Sequence, residues 1–151
     1  MHVVLFQPEI PPNTGNVARL CAAMQVSLHL IEPLGFKLED RYLKRAGLDY
    51  WPHVDMAVWH DLDAYIRNAG AGRRLVLTSA RRGAALHRFE FTENDSLVFG
   101  RETSGLPPEV IGLSPHHVRI PIKGEVRSIN LSTAAGIVLF QALVSAGLVG
   151  E

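Results

Sequence analysis

Six short apolar runs punctuate the chain, each about one strand long: VVLF at 3–6, LHLI at 28–31, VDMAVW at 54–59, RLVLTS at 74–79, SLVFG at 96–100 and VRIPI at 118–122. Between them the hydrophobic period changes. Val17, Leu20, Cys21 and Met24 recur at helical spacing within residues 16–25. A short basic helix is expected from Glu39 to Ala46 and another from Leu62 to Asn68, after which NAGAGRR at 68–74 reads as a helix end before a strand. Strands alternating with helices call for an α/β domain built on a mostly parallel sheet. The length of 151 residues fits one domain over residues 1–151, with no repeat, linker or low-complexity tract.

The last segment raises a membrane question. Nothing from Asn130 to Gly150 is charged, and NLSTAAGIVLFQALVSAGLVG is about as long as a membrane span. Ser132, Thr133, Gln141 and Ser145 dilute it, and neither a basic flank nor an aromatic belt follows. The expectation is a helix buried on two sides, with its second face in a subunit interface. No charged-then-apolar leader opens the chain, which points to the cytosol. Cys21 is the single cysteine, so no internal disulfide forms, and its apolar neighbours suggest a packed thiol. The formal net charge is zero, so a polyanionic partner must be met by local basic patches.

Familiar ligand motifs fail on inspection. QPEIPPNTGN after the first strand lacks a dinucleotide fingerprint, and in GRETSGLP at 100–107 Leu106 stands where a phosphate loop needs lysine. There is no G-x-S-x-G elbow, and the seven His show no zinc-ligand spacing. His116 and His117 read as solvated loop residues with diverging side chains.

Three polar loops remain at strand ends: PPNTGNVAR, FGRETSGLP and IPIKGEVRSINLS. NTGNVAR, residues 13–19, is expected at the junction of a loop and the first helix. Ligands of open α/β sheets sit beyond the carboxyl ends of strands, so these loops can converge on one crevice. Each also has a plainer reading. Asn and Gly favour turns, Gly100 and Gly105 suit bends, Pro107 and Pro108 start a helix, and Ser128, Asn130 and Ser132 can cap the last one.

Taken together, the loops resemble the SPOUT superfamily of RNA methyltransferases, and within it the small TrmL-type (YibK-like) enzymes that 2′-O-methylate the wobble nucleotide of tRNA. The resemblance runs nearly end to end: EIPPNTGNVARLCA, IEPLGF, RAGLDYW, FGRETSGLP and RIPIKGEVRSINLSTAAGIVLFQAL. It implies a parallel-sheet domain whose C-terminal part forms a deep trefoil knot, an exception to the un-knotted rule. It also implies a homodimer that binds S-adenosylmethionine in the knot and releases S-adenosylhomocysteine, with no metal, no membrane and a tRNA substrate modified at C34 or U34.

Carried over by position, the resemblance assigns the cofactor to Leu77, Gly100, Ile120, Ser128 and Leu131, and catalysis with ribose or phosphate positioning to Asn13, Arg19, Glu102 and Asn130. A guanidinium is a poor base, so Arg19 is expected to hold phosphate and stabilise developing alkoxide charge, while phosphate or Glu102 takes the proton. Ser104 stands where relatives often carry Arg or Lys, and Phe140 where close relatives can have Tyr. Arg41, Lys44 and Arg45 on one helix face, and Arg81, Arg82 and Arg88 beyond a strand end, read either as RNA contacts or as solvated charge. The alternatives are 2′-O-methylation of another tRNA or rRNA nucleotide, and a non-catalytic cofactor- or RNA-binding protein.

Overall fold

The computed structural model describes residues 1–39 and 52–150. In order these form β1 (His2–Phe6), α1 (Pro11–Met24), β2 (Ser27–Ile31), β3 (Met56–Trp59), α2 (Leu62–Arg67), β4 (Arg74–Thr78), β5 (Ala84–Ala85), β6 (Asp95–Phe99), α3 (Pro108–Ile111), β7 (His117–Arg119) and α4 (Leu131–Ser145), with a 3-10 turn at Leu86–Arg88. The basic helix expected from Glu39 onward, with Arg41, Lys44 and Arg45, falls outside the described residues. The strands form a seven-stranded sheet of order β3-β2-β1-β6-β4-β7-β5, and every pairing is parallel. This is the α/β architecture that the alternating pattern predicts.

The apolar runs are continuous because the sheet is covered on both faces. In β1, Val3 and Leu5 join the core cluster that includes Val17 and Cys21 of α1 and Val138 and Leu139 of α4. Val4 and Phe6 point the other way, into the cluster with Leu62 and Tyr65 of α2. Each such side chain contributes about 1.5–3 kcal/mol when fully buried. Burial also pushes the Cys21 thiol up to about 12, so it is packing material, not a nucleophile.

Helix α1 begins earlier than its periodicity suggests. Pro11 and Pro12 occupy its first turn, where a missing N–H leaves no helical bond unmade. NTGNVAR is therefore helical and not a junction loop. Asn13, Thr14 and Gly15 are buried in α1, while Arg19 lies further along it and is exposed. At the other end of the chain, α4 packs on α1, β6 and the 3-10 turn. It buries Ala135, Val138, Leu139, Ala142 and Leu143 but exposes Ile137, Phe140 and Val144. Among the described residues no helix is long and apolar enough to cross a membrane.

Polar pins hold the amino ends of the strands. Asp95 is fully buried and accepts from Arg74 Nε at 2.6 Å and Nη2 at 2.8 Å, and from the Thr92 backbone N–H at 2.8 Å. Arg74 and Asp95 are also register partners, so the ion pair fixes β4 against β6. Removing one member of such a pair costs about 3–5 kcal/mol. Nearby, the Tyr65 hydroxyl pairs with His2 Nδ1 at 2.9 Å and Ser96 Oγ at 2.7 Å, while Trp59 Nε1 donates to His29 Nδ1 at 3.0 Å.

Burial pushes both His2 and His29 down to about 4. The geometry agrees, because protonating Nδ1 would break the bond it accepts from Trp59, and Nε2 is buried with no acceptor to share the charge. In the unfolded chain these imidazoles titrate at about 6.5, so below that pH the unfolded state binds protons that the fold excludes. Their contribution to stability is complete above about pH 6.5 and is lost as the pH falls toward about 4. Urea midpoints should be steady above pH ~7 and decline across that window; a flat profile would contradict the arrangement.

Candidate active site

A cleft of about 930 Å³ opens at the carboxyl ends of β4, β6 and β7. Its walls are the segments that leave those strands, residues 78–82, 99–106 and 117–122, together with 127–131 and the start of α1. This is where an open parallel sheet holds its ligand. Asn13, Gly100, Glu102, Ile120, Ser128, Asn130 and Leu131 all line it. The residues that the sequence scatters over more than a hundred positions thus meet in one place.

Two of the expected residues do not line the cleft. Leu77 is fully buried on the opposite face of the sheet with Val4, Phe6 and Val98, and the cleft wall starts one residue later at Thr78. Strand alternation is the reason, since Val76 and Leu77 must face opposite ways. Arg19 is carried away from the cleft by the early start of α1. Phe140, one of the two departures from relatives, also lies elsewhere, on the exposed side of α4, whereas Ser104 lines the cleft. The two adjacent histidines are half-buried instead of solvated: His117 opens β7, lines the cleft and bonds Ser114 O through Nε2 at 2.8 Å.

Asn130 joins two helix starts. Its Oδ1 accepts from the Ser132 N–H at 2.9 Å and the Thr133 N–H at 3.3 Å, capping α4, and its Nδ2 donates to Asn13 Oδ1 at 3.0 Å. Capping and site-building are therefore the same act here, and neither reading of Asn130 displaces the other.

Glu102 is similarly double. Its carboxylate accepts from the backbone N–H of Glu9 at 3.0 Å and of Ile10 at 2.6 Å, at the start of α1. A negative charge at a helix N-terminus is favourable. Glu9 returns the clasp, accepting from the Thr103 N–H at 3.0 Å and hydroxyl at 2.7 Å, which hold its carboxyl below the usual range. Arg101 Nε donates to Gln7 Oε1 at 2.8 Å, and its guanidinium lies over the Phe6 ring. The Glu9–Thr103 half of this clasp was not foreseen, and no local spacing could reveal partners so far apart in sequence.

Gly100 is needed for a close approach within the chain itself. A Cβ there would overlap the backbone of Gly105 and Leu106, because the 100–106 loop folds back on itself through the Arg101 and Gly105 amide pair. The glycine shapes the cleft wall from within the chain. The finished wall suits a nucleoside cofactor. Ile120, Leu131, Leu106 and Val138 supply apolar surface, irregular backbone at 79–82 and 101–105 supplies hydrogen-bonding groups, and His117 Nδ1 is buried without a partner. The volume suits a small-molecule site, typically about 300–1,000 Å³. Among the described residues no group of His, Cys, Asp or Glu is placed to hold a metal.

Because Glu102 holds two amides of the fold, its removal should be felt without any ligand. Glu102→Ala should lower unfolding free energy by about 1.5–3 kcal/mol, and Glu102→Gln by less. Urea titration of the ligand-free protein checks this, and unchanged midpoints would mean the clasp carries no stability.

The chain matches the SpoU rRNA Methylase family over residues 1–140. It is 48% identical over 142 residues to the tRNA (cytidine(34)-2'-O)-methyltransferase of Methylovorus glucosotrophus, covering 93% of this chain and 92% of that one. A solved structure reported for the 2-OH methylation of C/U34 on tRNA superimposes with a TM-score of 0.91 at 48% identity, over 95% of this chain and 94% of that chain. The AdoMet-bound rRNA methyltransferase from Sinorhizobium meliloti aligns with a TM-score of 0.88 at 25% identity, over 99% of this chain and 57% of that one. Motifs, fold and near-complete alignment agree: the chain belongs to the SpoU rRNA Methylase family.

Proposed function

We propose that the protein is an S-adenosylmethionine-dependent methyltransferase that modifies the ribose 2′-oxygen of nucleotide 34, C or U, in tRNA anticodon loops, working in the cytoplasm. The observation that carries this reading is the cleft in which Asn13, Gly100, Glu102, Ile120, Ser128, Asn130 and Leu131 converge. The substrate is supported by relatives at 48% identity that act on cytidine 34 or concern C/U34. The cofactor is supported by the AdoMet-bound relative at 25% identity and by the apolar and backbone lining described above.

S-adenosylmethionine, when bound, supplies an activated methyl group. The protein's part is to seat it, to orient a ribose hydroxyl and to relieve that hydroxyl of its proton. Ile120 and Leu131 form the apolar seat, with Gly100 and Ser128 at its edges. Asn13 and Asn130, bonded to each other, present amides in fixed orientation at the mouth. Glu102 has its carboxylate engaged by two backbone amides, so it is held in a fixed place beside the cleft. Glu102 or the RNA phosphate takes the proton in this scheme, with Arg19 stabilising charge on the ribose oxygen.

Arg19 does not line the cleft of its own chain, so the scheme has a second copy deliver it. A homodimer is supported independently. Ile137, Phe140, Val144 and Leu148, all more than two-fifths exposed, form one stripe along and just beyond α4. The trefoil knot is inferred from the family likeness. The segment between β4 and β6 bonds the end of α4, where the Phe91 N–H donates to Ser145 Oγ at 3.0 Å.

Arg19→Ala should abolish tritiated methyl transfer to tRNA while S-adenosylmethionine affinity, read by calorimetry, stays within about twofold. Mixing that variant with a chain whose cleft is blocked by Ser128→Trp should restore activity in mixed dimers. Methyl groups found on a base, or on a nucleotide other than 34, would overturn the reaction as assigned. Phe140→Asp should shift the sedimenting species from dimer toward monomer, since it places a charge within the apolar stripe.

A further inference from the structure

A second pocket, of about 420 Å³, adjoins the cleft and shares Ala80, Arg81, Ile120, Ile122 and Arg127 with it. Its charged lining is Arg81, Arg119 and Arg127, with no carboxylate among the lining residues. Among the described residues no acid lies in salt-bridge reach of these three arginines. In a chain of zero net charge, three guanidinium groups left unneutralised around one concavity are an anion site in waiting.

The pocket is also held in shape. Ser79 Oγ accepts from the backbone N–H groups of Arg81 and Arg82, at 3.3 and 3.2 Å, so the arginine-bearing loop is tied to the end of β4. Arg119 donates to the Gly83 carbonyl, pinning the far side of the same loop to β7. Gly83 adopts φ +88° with no room for a Cβ against the His117 backbone. A solvated charged face needs none of this. Arg119 supplies charge while holding the wall, and Arg81 and Arg127 remain at the shared rim with planar forks suited to phosphate.

We infer that this basic pocket seats a backbone phosphodiester of the RNA whose ribose enters the neighbouring cleft, with Arg81 and Arg127 as its ligands. The inference rests on the reading of the cleft as an RNA ribose methyltransferase site. Its chemical necessity is simple. An internal 2′-hydroxyl shares its sugar with a 3′-phosphodiester, so a site that takes the one must accommodate the charge of the other close by. The shared wall of the two cavities supplies that adjacency.

The test uses the full-length protein and a fluorescein-labelled anticodon stem-loop RNA, with anisotropy measured from low to moderate salt. The double variant Arg81→Gln/Arg127→Gln should bind about tenfold or more weakly, and its log–log salt slope should flatten by about 0.7 or more, the loss of at least one single-strand phosphate contact. Arg67→Gln, which removes one positive charge from the exposed Arg67–Asp63 pair on α2, should leave the slope unchanged. The urea midpoint of the ligand-free double variant should match the wild type, separating loss of RNA from loss of fold. If the wild-type protein binds the RNA and the double variant matches it in affinity and slope, the phosphate site is overturned and the methyltransferase reading stands. If the wild-type protein neither binds nor methylates RNA, both fall.

Discussion

The side-chain amide of Asn130 is the contact on which the site's geometry depends. One oxygen caps α4 and one nitrogen holds Asn13 in the first turn of α1. An amide can do both because it carries an acceptor and a donor on one rigid plane. An aspartate there would cap as well but could not donate to Asn13. The two helices pack along their lengths through Val17, Cys21, Leu139 and Ala142, and that apolar contact leaves their rotation near the cleft underdetermined. The Asn130–Asn13 bond settles it, so that the start of both helices faces the same cavity.

The 100–106 side of the cleft wall is fixed by polar clasps. Residues 7–10 and 100–106 are joined through Glu102, Glu9, Thr103, Arg101 and Gln7, each pairing a loop from β1 with a loop from β6. These strands are neighbours, so the clasp spans the point where the chain order of the sheet reverses. At the opposite ends of the same strands the pins are the Arg74–Asp95 pair and the His2–Tyr65–Ser96 chain. The sheet is thus fastened below and shaped above, with the apolar core between. Loops held this way lose little further freedom when a ligand arrives, which is the condition for a precise site.

Much of this was legible in the sequence, for reasons that differ by element. Buried strands are continuous apolar runs, so β1, β2, β4 and β6 announce themselves, and alternation with helices fixes a parallel sheet. Seven residues to which the SPOUT resemblance assigns roles line one cleft. What periodicity missed was the start of α1, because Pro-Pro and Asn-Thr-Gly are weak helix formers and only tertiary burial of Asn13, Thr14 and Gly15 overrides that preference. That one boundary displaced Arg19 from loop to mid-helix. Leu77 turns its side chain into the second core cluster by strand alternation, and VRIPI broke at Ile120 because Pro121 cannot extend a ladder. Arg81 was already a candidate RNA contact, but the clasp partners and the meeting of Arg81 with Arg127 were invisible, since they pair residues from distant loops.

The distribution of charge then explains how a neutral chain can serve a polyanion. The start of α1 meets the Glu102 carboxylate, which offsets the positive end of that helix. The start of α4 is capped by a neutral amide instead, so its positive end is left facing the cleft. Arg81 and Arg127 lie on that same side, and no acid joins them in the adjoining pocket. The cleft is therefore electrically lopsided: quenched where the two loops clasp, positive toward β7. In the proposed reading such an asymmetry gives a bound RNA a direction, phosphate toward the arginines and ribose toward the paired asparagines, without any net charge on the protein.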